Sequence, residues 1–485
     1  MVKHGICADL KEAALTAFQA GVDIDMCSMA YNRYLPELVE EGKISEEDLD
    51  RSVMRVLRLK SRLGLFEDPY RGAFGKTDSH VILCTEHRSA ARKAVCESLV
   101  LLKNEGEKSL LPLKKDRQTA LIGPYLKCEE LFSAWSPTAK TGDTVTLLKA
   151  AGELEEYSFT YSQGCRLDTR EDVLAKSRES SVEDLRKGVF AWKLPSKEED
   201  DMLAAAVRNA KDADTVVMLL GEHRSLSGEG ASRGDITLPE NQVELLKAIY
   251  EVNRNIVTVV FGGRPLDLRE VCLCSRSVVM AWLPGTEGGH GVMDVLTGCV
   301  NFSGKLSMSI PVSVGQIPVY YNQLRTGRPK DPVLDEPNYV SAYLDSPNRP
   351  LFPFGYGLSY SRFSISDAGV SRAQIEGAFD PDDEESVLLT AGAEIENLSE
   401  RAGTAVIQMY LRDDVSSLAR PGRELKAFKR ISLASREKKT VSFAVTPAML
   451  AYTGPDGKRI LEKGSFTIWI GEDSETRNQA GFSLK

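Results

Sequence analysis

Leu10, Ala13, Ala14, Ala17 and Phe18 recur at helical spacing behind Asp9, a residue type that caps helices, and the run stops at Gly21. Val22 to Met26 then alternates apolar and acidic side chains, which predicts a strand. Ser45, with Asp48 three residues on, predicts a second helix that carries Leu49, Val53, Val56 and Leu57 to a turn at Gly64. One strand between two helices cannot close a core, so this opening reads as the tail of a larger α/β layer.

Further along, apolar strand-like runs alternate with amphipathic helical stretches. Strands are predicted at Ser98–Leu102, Thr119–Ile122, Thr215–Leu220, Ile256–Phe261 and Ser277–Trp282, and helices at Glu86–Cys96, Met202–Ala210, Pro239–Val252 and Glu287–Leu296. Near-continuous apolar strands between such helices predict a mostly parallel sheet covered on both faces. Arg166 to Asp201 is charged and weakly periodic, which predicts a surface insertion, and the prolines and aromatics of Pro318 to Tyr360 predict an extended connector. The acidic run Asp380 to Glu385 reads as a solvated loop. Short alternating segments at Val387–Glu396, Thr404–Arg412, Lys438–Val445 and Ser465–Gly471 predict a small antiparallel β-sandwich.

Composition narrows the function classes. The chain has 485 residues, 42% hydrophobic and 27% charged, which excludes wholesale disorder and leaves room for about three domains. Against 61 basic residues stand 70 acidic ones, a net charge of -9 that argues against nucleic acid or an anionic membrane as the main partner. The nine cysteines are scattered singly apart from Cys272 and Cys274, and no apolar secretory region opens the chain, so free thiols in a cytoplasmic protein are expected. Neither a metal nor a cofactor is expected. The five histidines show no paired spacing, the glycines from Gly285 to Gly291 lack a dinucleotide fingerprint, and the Gly-x-Ser-x-Gly elbow of a serine hydrolase is missing. His87 and His290 read as structural, and Trp135 and Trp282 as core residues rather than sugar-stacking platforms.

The strongest pointer to chemistry follows the strand Thr215–Leu220. In an open parallel sheet, ligands bind outside the carboxyl ends of strands, and here the chain leaves as a glycine-bearing, mobile loop from Gly221 to Asp235 with Glu222, His223, Arg224, Glu229 and Arg233. Glu229 has glycine on both sides, which frees its side chain to face a cleft. A catalytic carboxylate and a solvated loop with local ion pairs are both compatible with these residues.

Several motifs resemble one family. Ala20-Gly21-Val22-Asp23-Ile24-Asp25-Met26, Arg62-Leu63-Gly64-Leu65-Phe66, Gly263-Arg264-Pro265-Leu266, Pro284-Gly285-Thr286-Glu287-Gly288-Gly289 and Pro353-Phe354-Gly355-Tyr356-Gly357 are similar to stretches of glycoside hydrolase family 3 enzymes of the three-domain β-glucosidase type. The resemblance implies the end of a (β/α)8 barrel at 1–66, a linker at 67–97, an α/β sandwich domain with a mostly parallel sheet at 98–312, a connector at 313–375 and a fibronectin-III-like β-sandwich at 376–485. It also implies retaining hydrolysis of terminal β-linked glycosides, with a small oligosaccharide or aryl β-glycoside as substrate. Ser227-Gly228-Glu229 resembles the acid/base segment, which makes Glu229 the expected acid/base and Glu222 the second choice, while Arg233 and Asp235 hold the loop. The family's nucleophilic aspartate lies in a Ser-Asp motif before His4-Gly5, upstream of Met1, so the chain is expected to be an N-terminal truncation, inactive as it stands. Asp9, Asp23 and Asp25 do not match the nucleophile's position. A non-catalytic carbohydrate-binding or assembly module derived from the same family is the alternative.

Overall fold

Asp9 caps the first helix as its position requires. Its carboxylate accepts from Glu12 N at 2.9 Å, while Glu12 reaches back to Ala8 N at 2.6 Å. The computed structural model describes residues 1–70, 81–106, 109–178, 182–186, 198–328 and 340–485, and the chain divides into two compact units, Met1–His87 and Arg88–Lys485. The first holds α1 (Leu10–Gln19), α2 (Ala30–Glu40) and α3 (Glu46–Arg62), the last capped by Ser45 through Asp48 N. Ala14, Ala30, Leu38 and Ile44 form its small core.

The strand expected at Val22–Met26 is absent. These residues lie between α1 and α2 outside any strand, and among the described residues of this unit none pairs with them. Their two acidic side chains are bound to helices instead. Asp23 accepts from Ser52 Oγ at 2.8 Å and from Arg55 Nη2 at 2.6 Å. Asp25 accepts from Ser28 Oγ at 2.8 Å and from Ala30 N at 2.7 Å, at the start of α2. Val22, Ile24 and Met26 are left 45%, 62% and 89% exposed. Hydrogen bonds from Arg55 and Ser52 hold the Asp23 carboxyl at about 2, and those from Ser28 hold Asp25 at about 2. Because both values are depressed, their stabilisation is complete above the ordinary carboxylate range near pH ~4 and is lost as pH falls through about 2. Carbon NMR titration should place both midpoints near 2, and midpoints near ~4 would show that these bonds do not persist in solution.

The second unit begins with α4 (Thr85–Ser98), of which only Thr85 to His87 fall before its boundary. Its six strands are β1 (Val100–Asn104), β2 (Gln118–Ile122), β3 (Ser158–Ser162), β4 (Thr215–Gly221), β5 (Ile256–Phe261) and β6 (Ser277–Trp282), in the order β1-β6-β5-β4-β2-β3. All neighbours are parallel except β1 with β6. Every residue of β4 and β5 is buried, so alternate side chains feed two cores. Val217, Leu219, Val257 and Val259 meet Leu147 of α5 (Leu147–Gly152) and Val292 and Leu296 of the helix Gly288–Thr297. Val216, Met218 and Leu220 face the other way, onto Ala206 and Ala210 of the helix Glu198–Asp212 and Leu245 and Ile249 of the helix Glu240–Val252. The stretch read as a surface insertion contains α6 (Arg170–Arg178) and α7 (Val182–Arg186), and its residues 179–181 and 187–197 lie outside the described residues.

The remaining strands form a sandwich. One sheet pairs Lys438–Val445, Leu389–Asn397 and Phe363–Ile365, and the other orders Glu424–Leu433, Gly403–Asp413, Gly464–Gly471, Gln479–Leu484 and Gln374–Ile375. Ile395, Ile407, Val445 and Ile468 are fully buried between them. The connector joins sheet and sandwich: Leu358 N donates to Leu101 O at 2.8 Å, and Tyr321 packs edge-on against Tyr410 of the strand Gly403–Asp413 with centroids 5.9 Å apart. Its residues 329–339 lie outside the described residues.

Candidate functional site

Three arginines and three glycines shape the end of β4 and the loop beyond it. Strand β4 ends at Gly221, where a Cβ would lie 2.0 Å from Phe261 O, so only glycine lets β5 come this close. Both backbone groups of Gly221 are held by the Gln242 amide, at 2.7 and 2.8 Å. The next residue, Glu222, turns inward and its side chain is 0% exposed. Arg233 Nη1 donates to it at 2.6 Å and Arg264 Nε at 3.0 Å, and its carbonyl accepts from the buried Tyr125 hydroxyl. Burial pushes the Glu222 carboxyl up from its ordinary value, against the pull of both guanidinium charges.

Held by Glu222, Arg264 reaches on to the loop backbone. Its Nη2 donates to Ala231 O at 2.6 Å and also to Leu226 O, while Arg170 at the start of α6 donates to Gly230 O at 3.1 Å. Carbonyls on both sides of Glu229 are therefore fixed by guanidinium groups. The mobile loop expected from its glycines is instead a braced one, because charged donors secure the carbonyls that glycine leaves free. Gly228 and Gly230 adopt φ of 102° and 68°, the left-handed region that favours glycine. Between them Glu229 is exposed, with no hydrogen bond or ion pair to any described residue.

Sequence reasoning ranked Glu222 second for the acid role, and the geometry gives it other work: both of its oxygens are bound by arginines that hold the loop. Asp235 accepts from Thr237 N at 2.9 Å and Thr237 Oγ1 at 2.8 Å, which shapes the loop's exit. Asp9, Asp23 and Asp25 each bind backbone or side-chain donors, as described above.

A second loop reaches the same end of the sheet. It follows β2, the neighbour of β4, and carries Glu130, Phe132 and Trp135. Glu130 Oε2 lies 2.8 Å from His223 Nε2, and Glu130 Oε1 accepts from Arg224 Nε at 2.7 Å. Burial works against the Glu130 charge, yet the bonds from Arg224 and His223 outweigh it and lower its pKa. Trp135 is 68% exposed, and its indole nitrogen lies 3.7 Å from where a Cβ would stand on Gly228. The expected core role for Trp135 is thus corrected: it sits in a loop whose residues from Ser133 to Lys140 are all exposed or half-buried. Trp282 is half-buried against the core on the side of the helix Glu240–Val252.

The glycines after Pro284 serve packing. A Cβ on Gly289 would lie 2.3 Å from Thr146 O, and one on Gly291 2.4 Å from Val95. His290 bridges Glu287 at 2.7 Å and Glu153 at 2.8 Å, whereas His87 is exposed in the first turn of α4. Among the described residues, no three His, Cys, Asp or Glu side chains gather as a metal ion would require, and no helix is long and apolar enough to cross a membrane.

Comparison with known proteins matches three family profiles: the glycosyl hydrolase family 3 C-terminal domain at residues 99–360, a fibronectin type III-like domain at 405–474, and the glycosyl hydrolase family 3 N-terminal domain at 1–59. A periplasmic beta-glucosidase of Salmonella typhimurium is 38% identical over 100% of this chain and 62% of its own length. A putative beta-xylosidase of Formosa agariphila is 31% identical over 98% of this chain and 56% of its own. Among solved structures, a mutant beta-glucosidase of Listeria innocua in complex with laminaribiose superposes with a TM-score of 0.86 at 36% identity, covering 100% of this chain and 61% of that one. The chain thus spans about three fifths of the length of the relatives it matches. The periplasmic relative overturns the expected cytoplasmic location. All nine cysteines are free thiols, but they are buried or scattered singly, and such thiols do not report on the compartment.

Proposed function

The chain belongs to glycosyl hydrolase family 3, and on that premise we propose that it serves the hydrolysis of terminal β-linked glycosides, glucosides or xylosides, with Glu229 as the general acid and base. One observation carries the reading: Glu229 is a carboxyl group bonded to no described residue, on a backbone held at Leu226 before it and at Gly230 and Ala231 after it, outside the carboxyl end of a central parallel strand. In its protonated form such a group is free to give its proton to the glycosidic oxygen as the bond to the anomeric carbon breaks. Once the leaving group has gone, the same carboxylate accepts a proton from the water that releases the sugar. Retaining chemistry needs a second carboxylate as nucleophile. We assign that role to no residue of this chain.

The exposed ring of Trp135, beside Gly228, offers an apolar face to the ring of a sugar or aryl leaving group. A small β-linked disaccharide, such as the laminaribiose bound by the Listeria innocua relative, is the substrate class this reading favours. The protein as its own gene expresses it is tested with aryl β-glucosides and β-xylosides, with the first-formed anomer followed by proton NMR. Appearance of the β-anomer first is expected. The α-anomer first, or no turnover of either glycoside, would overturn the reading.

A further inference from the structure

We propose that Glu130 is a positioning residue, which fixes the spacing between the Trp135 ring and the Glu229 carboxylate by gripping His223 and Arg224. The inference rests on the acid/base assignment of Glu229. Its geometry does not.

Glu130 and Trp135 share the loop after β2, and His223, Arg224 and Glu229 share the loop after β4, so nothing covalent within either loop sets the distance from ring to carboxylate. Glu130 closes that gap with both oxygens, at 2.8 Å to His223 Nε2 and 2.7 Å to Arg224 Nε. Arg224 adds a bond to Ser133 O at 3.3 Å and lies over the Phe132 ring at 4.7 Å, so two residues ahead of Trp135 are held as well.

The imidazole carries the link onward. Ser225 N donates to His223 Nδ1 at 3.3 Å, which makes Nδ1 an acceptor and puts the ring proton on Nε2, facing Glu130. Ser225 Oγ, 2.8 Å from Nδ1, in turn accepts from Arg170 N at 2.9 Å. A chain Glu130–His223–Ser225–Arg170 therefore joins the Trp135 loop, the Glu229 loop and α6, whose Arg170 side chain holds the carbonyl beside Glu229. His223 is buried and its partners satisfy both ring nitrogens.

The spacing so fixed decides which leaving groups lie on the ring with their glycosidic oxygen in reach of Glu229. A proton donor displaced by about 1 Å loses about a hundredfold in rate. That loss falls on substrates that need protonation, because good leaving groups depart without it.

The test compares Glu130→Leu with Glu130→Gln in the full chain by hydrogen exchange, read at the amides of Leu226, Ser227 and Ala231, whose bonds to His223 O, Arg224 O and Gly228 O define the turn. Exchange about tenfold or more faster is expected in E130L, with rates near the parent in E130Q, which keeps an acceptor for His223 Nε2. In the natural gene product, E130L should slow an alkyl β-glucoside far more than an activated aryl one, while E130Q restores most of the difference. Unchanged exchange in E130L, or equal slowing of both substrates, would overturn the inference. If exchange accelerates but Glu229→Gln leaves glycoside cleavage untouched, the positioning geometry stands and the assignment of Glu229 falls. Should E130L fail to fold, S225A breaks the same link one residue on and must accelerate the same amides.

Discussion

Glu222→Ala is expected to cost about 3–5 kcal/mol of folding stability, a large part of what holds a typical domain together. The side chain is 0% exposed, and the guanidinium groups of Arg233 and Arg264, 22% and 20% exposed, converge on it at 2.6 and 3.0 Å. Alanine would leave two half-buried positive charges facing each other across a cavity, with the carboxylate that neutralised them gone. The damage then spreads, because Arg264 also holds the carbonyls of Leu226 and Ala231. Arg233→Ala should cost less, since Glu222 keeps its bond to Arg264. The two units of the chain need not melt together, so the measurement is hydrogen exchange in β4 and β5 against urea concentration rather than one global transition. A loss below about 1 kcal/mol would show that water reaches the arginines once the carboxylate is gone.

Burial decided what was legible in the sequence. Strands β4, β5 and β6 were plain because both of their faces are covered, which leaves uninterrupted apolar runs such as Val216 to Leu220. The strand Glu424–Leu433 was invisible for the opposite reason. It lies at the edge of its sheet, its alternation breaks at Ala427-Phe428 and Lys429-Arg430, and it exposes Phe428 to 62%. Helix α2 carries Pro36 and only two buried side chains, so its period was faint. The segment Val22–Met26 misled because alternation marks side chains that point to opposite faces, not the presence of a partner strand. At the candidate site, Glu229 can be singled out from sequence because glycines on both sides are a local signal. Glu130 was missed because it meets His223 across 93 positions of sequence, through the β2–β4 pairing, and no spacing rule spans that distance. The inward turn of Glu222 also has no local signal: its partners lie 11 and 42 residues on.

Glu229→Gln should lower kcat/KM for a β-linked disaccharide by about 10²–10⁴, and that for an aryl glucoside with an activated leaving group far less. Glutamine keeps the volume of glutamate but cannot give up a proton at neutral pH, so the loss falls on steps in which the glycosidic oxygen must be protonated. The structure makes this substitution clean. Glu229 bonds to no described residue, and Arg170 and Arg264 grip backbone carbonyls that glutamine leaves in place. Thermal stability should therefore stay within about 0.5 kcal/mol of the parent, the range of ordinary surface changes. Glu222→Ala, seven residues earlier in the same loop, should do the reverse and weaken the layer while leaving the Glu229 side chain in place. The pH profile gives a second reading. A general acid imposes an alkaline limb as it deprotonates, and that limb should vanish in the glutamine variant while any acidic limb set by another group remains. Equal slowing of disaccharide and activated aryl glucoside, with the alkaline limb intact, would place the acid elsewhere and leave Glu229 a solvated loop residue.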